Sequence, residues 1–170
     1  MSERLSAVDA AWLRMDTPTN RMMITCLFTF DEPIDLGALR RLLQERLLPR
    51  ERFRERVVAG ARGATWQLDP DFDLRSHLHH VALPAPGDDA ALAELLSDLM
   101  SSPLDRARPL WQLHVVDRGG AGGTALVMRL HHCIGDGVAL VRLLLSLTDD
   151  ARGPAPRHVG SALPHVEGLR

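Results

Sequence analysis

The chain has no lysine and no tyrosine, and only two cysteines, Cys26 and Cys133, in 170 residues. Two thiols do not make the disulfide framework of a small secreted domain, so a reducing compartment is expected and the cytoplasm is the expected location. With lysine absent, all 20 Lys-plus-Arg positions are arginine. Lysine and tyrosine codons are AT-rich; their joint absence marks a GC-rich coding sequence, and the arginine excess is no sign of phosphate binding. The net charge of −2 gives no bulk attraction to nucleic acid, and none is expected as a partner. Long apolar runs are lacking too. The longest, Val138 to Leu147, is broken by Arg142 and Ser146 and falls short of the ~18 residues of a membrane span. The opening MSERLSAVDAAWLRMD alternates charge with apolar residues and has no signal-peptide core.

What is present suits one domain with a real core: apolar residues make up 45% of the chain. The residue patterns predict a helix over Ser6–Leu13 with Ser6 as N-cap, a buried strand over Met22–Phe30, and an amphipathic helix opened by Asp35 and ended by Pro49. Short strands follow at Phe53–Val58, Thr65–Leu68 and His77–Leu83, then a helix from Asp88 or Asp89 to about Met100. Trp111–Val116 and Thr124–His131 read as a hairpin around DRGGAGG, and Gly137–Leu147 as a buried helix. From Asp149 the chain is rich in proline and glycine without an apolar period, so residues 1–150 are expected to form the domain and 151–170 a linker or tail. The expected fold class is α/β (α+β), a mixed, largely antiparallel sheet backed by helices.

The most informative stretch is MRLHHCIGDGVALVRLLL. His131 and His132 end a strand, a short loop starts at Cys133, and Asp136 and Gly137 open a helix. Strand ends of this kind often carry sites. Adjacent residues at a strand end face opposite ways, so one histidine can meet a cavity while its neighbour is supported from inside. An imidazole can take a proton from a bound hydroxyl. Gly135 and Gly137 permit a tight turn. Asp136 fits either a supporting role in the site or simple capping of the helix N-terminus.

HHCIGDG resembles HHxxxDG, the signature of the CoA-dependent acyltransferase superfamily that includes chloramphenicol acetyltransferase, carnitine acyltransferases and condensation domains. LSAVDAAWLRMDTPTNRMMITCLFTFD, the Pro-Leu-Trp of RPLWQLHVVD, and RLHHCIGDGVALVRLLLSL are similar to segments of the wax ester synthase/diacylglycerol acyltransferase family, in that order, over about residues 5–150. The resemblance implies a chloramphenicol acetyltransferase-like half that moves an acyl group from acyl-CoA to a long-chain alcohol or diacylglycerol. Acyl-CoA would be a co-substrate, with no cofactor. The resemblance makes His132 the general base and His131 a residue that shapes the site. Asp136 would pair with an arginine, Arg14 or Arg129 being the candidates. Superfamily members build the site between two domains, so the chain is expected to be one half, lacking its C-terminal counterpart or associating with itself, with a membrane or lipid-droplet surface as a peripheral location. The rival readings are a non-catalytic lipid- or partner-binding module and a condensation-type acyltransferase.

Several weaker signals have plainer explanations. Cys133 is expected to be a small loop residue and not a nucleophile. Pro109, Leu110, Trp111 and Cys133 are candidates for the substrate pocket; for Trp111, core packing is the equal alternative. His77, His79, His80 and His114 lack the companion ligands of a zinc site, and no metal is expected. GGAGG lacks the P-loop lysine and following helix, so it reads as a turn. The arginines from Arg40 to Arg56 alternate with glutamates and read as a solvated face.

Overall fold

The structure is a computed structural model that describes residues 3–61 and 63–135, together with Leu143 and Leu147. Its centre is a four-stranded sheet in the order β2 (Met23–Phe30), β7 (Thr124–His131), β6 (Trp111–Asp117), β5 (Leu78–Ala82). β7 is antiparallel to both neighbours, while β5 and β6 run parallel. A parallel pair needs a crossover, and helix α3 (Asp89–Ser101) supplies it. A second, three-stranded antiparallel sheet joins β1 (Glu3–Arg4), β4 (Gly63–Leu68) and β3 (Glu55–Gly60).

Helices start where the sequence provides acceptors for free N–H groups. Ser6 Oγ accepts from Asp9 N–H at the head of α1 (Ala7–Met15), Asp35 from Gly37 N–H at the head of α2 (Leu36–Leu42), and Asp88 from Ala91 N–H at the head of α3. α2 continues as a π-helical turn, Leu43–Leu47, which aims both of those leucines into the core.

Side-chain alternation divides the central sheet into two buried faces. Even-numbered residues of β7, with Trp111, Leu113 and Val115 of β6, pack under Leu43, Leu47 and Leu143. Ala125, Val127 and Val116 face the other way, onto Leu92, Leu95, Leu96 and Leu99 of α3. A third cluster joins the two sheets through Trp66, Leu104, Leu110, Cys133, Trp12 and Met23. The mixed sheet and helical backing match the expected fold class. The separate β1–β4–β3 sheet and the parallel β5–β6 pair were not legible. The glycine-rich loop is a turn: Gly119, Gly122 and Gly123 have positive φ, and a Cβ on Gly123 would collide with the Phe30 carbonyl. Of the expected Gly137–Leu147 helix, only Leu143 and Leu147 fall among the described residues, and both are helical. The expected 151–170 tail lies outside them.

Leu47 is fully buried in the main cluster, whereas Val8 is 63% exposed on α1. Leu47→Ala should destabilise the fold by about 2–5 kcal/mol, and Val8→Ala by less than about 0.5 kcal/mol. Urea unfolding at neutral pH compares them; equal midpoints would contradict the packing described.

Candidate active site

β7 is paired on both sides along its length and delivers two histidines to its C-terminal end. His131 is the last strand residue, and His132 opens a 3-10 turn to Ile134. The two are separated by environment. His131 is 2% exposed. Its Nδ1 accepts the Cys133 N–H at 3.1 Å, so in the neutral ring the proton sits on Nε2. That nitrogen faces Asp16 Oδ2 at 3.9 Å. Burial pushes the His131 pKa down to about 4 against the pull of Asp16. His132 is only half-buried. Its ring stacks on Trp12 with centroids 4.6 Å apart and 21° between planes, and its backbone N–H donates to the Met22 carbonyl at 2.9 Å.

α1 therefore forms the floor under the histidines. Asp16, its C-cap, is the polar hub. Its carboxylate accepts the Met22 N–H at 3.2 Å and an Arg106 Nη2–H at 2.9 Å, and Arg21 lies 3.9 Å away. Arg106 also donates to the Leu13 and Asp16 carbonyls. Burial raises the Asp16 pKa, but the Arg106 and Met22 hydrogen bonds outweigh it, and the carboxyl stays below its ordinary range. Sequence reading missed Trp12, Asp16 and Arg106. The available signal was an aromatic and a carboxylate four residues apart, hence on one side of a helix end.

Other expected residues are placed differently. Cys133 is buried, and burial pushes its thiol up to about 12, far from the thiolate a nucleophile needs. Leu110 and Trp111 are packed in the interior at 1% and 0% exposure. The Trp111 indole N–H donates to the Phe53 carbonyl at 2.8 Å, and the ring packs against Phe53 and His77. Pro109 is buried beside them. None of Pro109, Leu110, Trp111 and Cys133 lines the large cavity of about 460 Å³ beneath α2, which is bounded by residues such as Phe28, Phe30, Leu39, Leu126 and Met128. The proline and tryptophan border only a void of about 10 Å³. Among the described residues these four positions pack in the interior. Gly135 has a φ of 177°, extended backbone open to any residue, so the tight turn expected there does not rest on a left-handed glycine.

Asp136 and Gly137 lie outside the described residues. Of the arginines weighed as partners of Asp136, Arg14 is exposed on α1. Arg129 is buried and donates to Gln112 Oε1 at 2.8 Å and to the Ser102 carbonyl. The histidines raised for a metal do not converge. His79 and His114 stack on each other with centroids 4.8 Å apart, and His77 stacks between Phe72 and Trp111. Among the described residues, no three His, Cys, Asp or Glu gather as a metal site would require.

The fold is that of the condensation-domain and acyltransferase class. A starter condensation domain of rhizomide synthetase RzmA superimposes with a TM-score of 0.68 over 86% of this chain and 38% of its own, at 17% identity. A wax ester synthase/diacylglycerol acyltransferase from Marinobacter aquaeolei VT8 superimposes with a TM-score of 0.65 at 27% identity, over 82% of this chain and 36% of that one. Residues 5–166 match the family described as the wax ester synthase/diacylglycerol acyltransferase catalytic domain, and the chain belongs to that family. A probable diacylglycerol O-acyltransferase of Mycobacterium tuberculosis is 37% identical over 155 residues, covering 86% of this chain and 33% of the relative. The chain thus spans about a third of the length of the first curated relatives it matches.

Because His114 and His131 both sit near pKa 4 in the fold, against 6.5 ordinarily, the unfolded chain binds more protons between those values. Their contribution to stability is complete above about pH 6.5 and is lost as pH falls toward 4, at about 3 kcal/mol each. Urea midpoints should fall steadily from pH 7 to pH 4.5, and His114→Leu should flatten the slope. A midpoint independent of pH across that window would contradict the buried neutral histidines.

Proposed function

We infer that the domain serves acyl transfer from acyl-CoA to the hydroxyl of a long-chain alcohol or diacylglycerol, with His132 as general base. One observation carries the reading. His131 turns both ring nitrogens inward, whereas among the described residues nothing hydrogen-bonds to either ring nitrogen of His132, and its ring is held only by the Trp12 face and its own backbone. A ring fixed in place with its nitrogens uncommitted is what a base must offer an incoming hydroxyl. Family membership and the names of the relatives support the substrate classes.

The step balances without a cofactor. The alcohol oxygen attacks the thioester carbonyl carbon while its proton moves to His132. The carbon–sulfur bond then breaks, and the CoA sulfur takes that proton, leaving an ester and free CoA. In this reading Cys133, buried with its thiol pushed up to about 12, carries no acyl group. In this reading, the further length of the relatives supplies the opposite wall of the site and most of the contacts that orient acyl-CoA. Orientation of this kind is worth about 7–11 kcal/mol of barrier. Among the described residues, no helix is long and apolar enough to cross a membrane, and contact with lipid substrate is assigned to a membrane or lipid-droplet surface.

The test is release of free CoA thiol from long-chain acyl-CoA with alcohol or diacylglycerol acceptors, by these 170 residues alone and by a protein that includes the remaining length seen in the relatives. In the active preparation, His132→Ala should lower kcat by about 10²- to 10⁴-fold with an unchanged circular dichroism spectrum, and Cys133→Ala should stay within a few fold of the parent. Near-normal turnover by folded His132→Ala would overturn the assignment.

A further inference from the structure

Three features outside the histidine turn stand out: the apolar cavity under α2, the buried cation Arg129, and the Asp16–Arg106 pair. The cavity borders Met128, four residues and about 13 Å of strand from His132, and nothing in the structure shows what fills it. Arg129 already donates to Gln112 and Ser102 and lines neither of the two cavities described above. The Asp16–Arg106 pair is different, because its carboxylate lies between α1 and both histidines.

Asp16 touches them by two routes. Its Oδ2 is 3.9 Å from His131 Nε2, the nitrogen that carries the proton when Nδ1 accepts from Cys133. Its Oδ1 accepts the Met22 N–H, and the Met22 carbonyl in turn accepts the His132 N–H. Arg106 fixes the carboxylate from outside and closes the last turn of α1 through the Leu13 and Asp16 carbonyls. That turn also holds Trp12, whose ring supports His132. A helix end, a carboxylate and an arginine together set both histidines at one junction. The Asp16 side chain is only 8% exposed, so the carboxylate's field at His131 is weakly screened.

We propose that Asp16, held by Arg106, is a positioning residue for the histidine pair: with the Cys133 N–H it favours the Nε2–H tautomer of His131 and, through Met22, it holds the backbone that carries the base His132. The second half of this statement rests on His132 being the base. Neither Asp16 nor Arg106 meets the reacting atoms in this assignment. Asn at position 16 keeps an acceptor for Met22 N–H and loses the charge, whereas Leu loses both, so the two variants separate the routes.

The test has two arms. In the ¹⁵N-labelled chain, long-range imidazole spectra should show His131 as the Nε2–H tautomer, with nuclear Overhauser contacts between the Trp12 and His132 rings. Asp16→Asn should keep the contacts but admit the Nδ1–H tautomer of His131. Asp16→Leu should weaken the contacts as well, while amide signals of β5, β6 and α3 stay in place. If Asp16→Leu unfolds the chain, Arg106→Met, at an exposed arginine, replaces it with the same expectation. In a preparation active in thiol release, Asp16→Leu or Arg106→Met should lower kcat at least about tenfold with KM changed less than about threefold, a split that general destabilisation does not produce. An unaltered His131 tautomer with intact ring contacts in both variants overturns the proposal. So does unchanged kcat where His132→Ala is inactive. Full activity of His132→Ala overturns the base assignment instead and leaves the tautomer arm to decide the role of Asp16.

Discussion

The register of β7 is the constraint on which the rest depends. Among the described residues it is the only strand of the central sheet paired in antiparallel register on both sides, from Phe30↔Thr124 to Met23↔His131 on one edge and from Asp117↔Thr124 to Trp111↔Leu130 on the other. Because side chains alternate, a slip of one residue would move Met128 and Leu130 to the α3 face and turn Arg129 and His131 into the leucine-rich core. Burial of both faces forbids that slip. It also determines where the chain leaves the sheet: the strand can end only beyond the last pair with β2, and that point is the junction of the two histidines.

The polar groups on the α3 face show how such a register is tolerated. Gln112, His114, Arg129 and His131 lie on the face opposite the main core, with His79 alongside on β5. Burial drives the three histidines toward the neutral form, which removes repulsion from the Arg129 guanidinium. That guanidinium is solvated by oxygens of Gln112 and Ser102. Neutral stacked rings beside an oxygen-lined cation are cheaper to bury than several charges. Among the described residues these histidines are packed against one another and against aromatic rings.

Much of this was legible before any coordinates. Helix heads at Ser6, Asp35 and Asp88 announce themselves because the capping chemistry is local. The β6–β7 hairpin does so because its glycines bracket two apolar runs. The histidine pair was legible through its motif. What failed was non-local. The parallel pairing of β5 with β6 depends on α3 crossing over, and no residue of His77–Leu83 encodes that partner. Trp111 was undecided between core and pocket because an aromatic at a strand start suits both. The Phe53 carbonyl, 58 residues away, takes the indole N–H and holds the ring in the interior. Asp16 was invisible for the same reason: Met22 is near in sequence, but Arg106 and His131 are 90 and 115 positions distant.

Two adjacent histidines could share one task, yet the structure divides them by solvent and by hydrogen bonding. A base must have a proton affinity suited to the reaction and a nitrogen that the substrate can reach. His131 meets neither condition, since burial pulls its pKa to about 4 and both ring nitrogens face inward. One ring nitrogen takes the Cys133 N–H at the head of the following turn, and the other faces Asp16 Oδ2 at 3.9 Å. His132, one residue further, donates its backbone N–H to Met22 and stacks its half-buried ring on Trp12. On the proposed assignment, the doubled histidine is a division between support and chemistry, and the support reaches back through Asp16 and Arg106 to segments far from the motif in sequence.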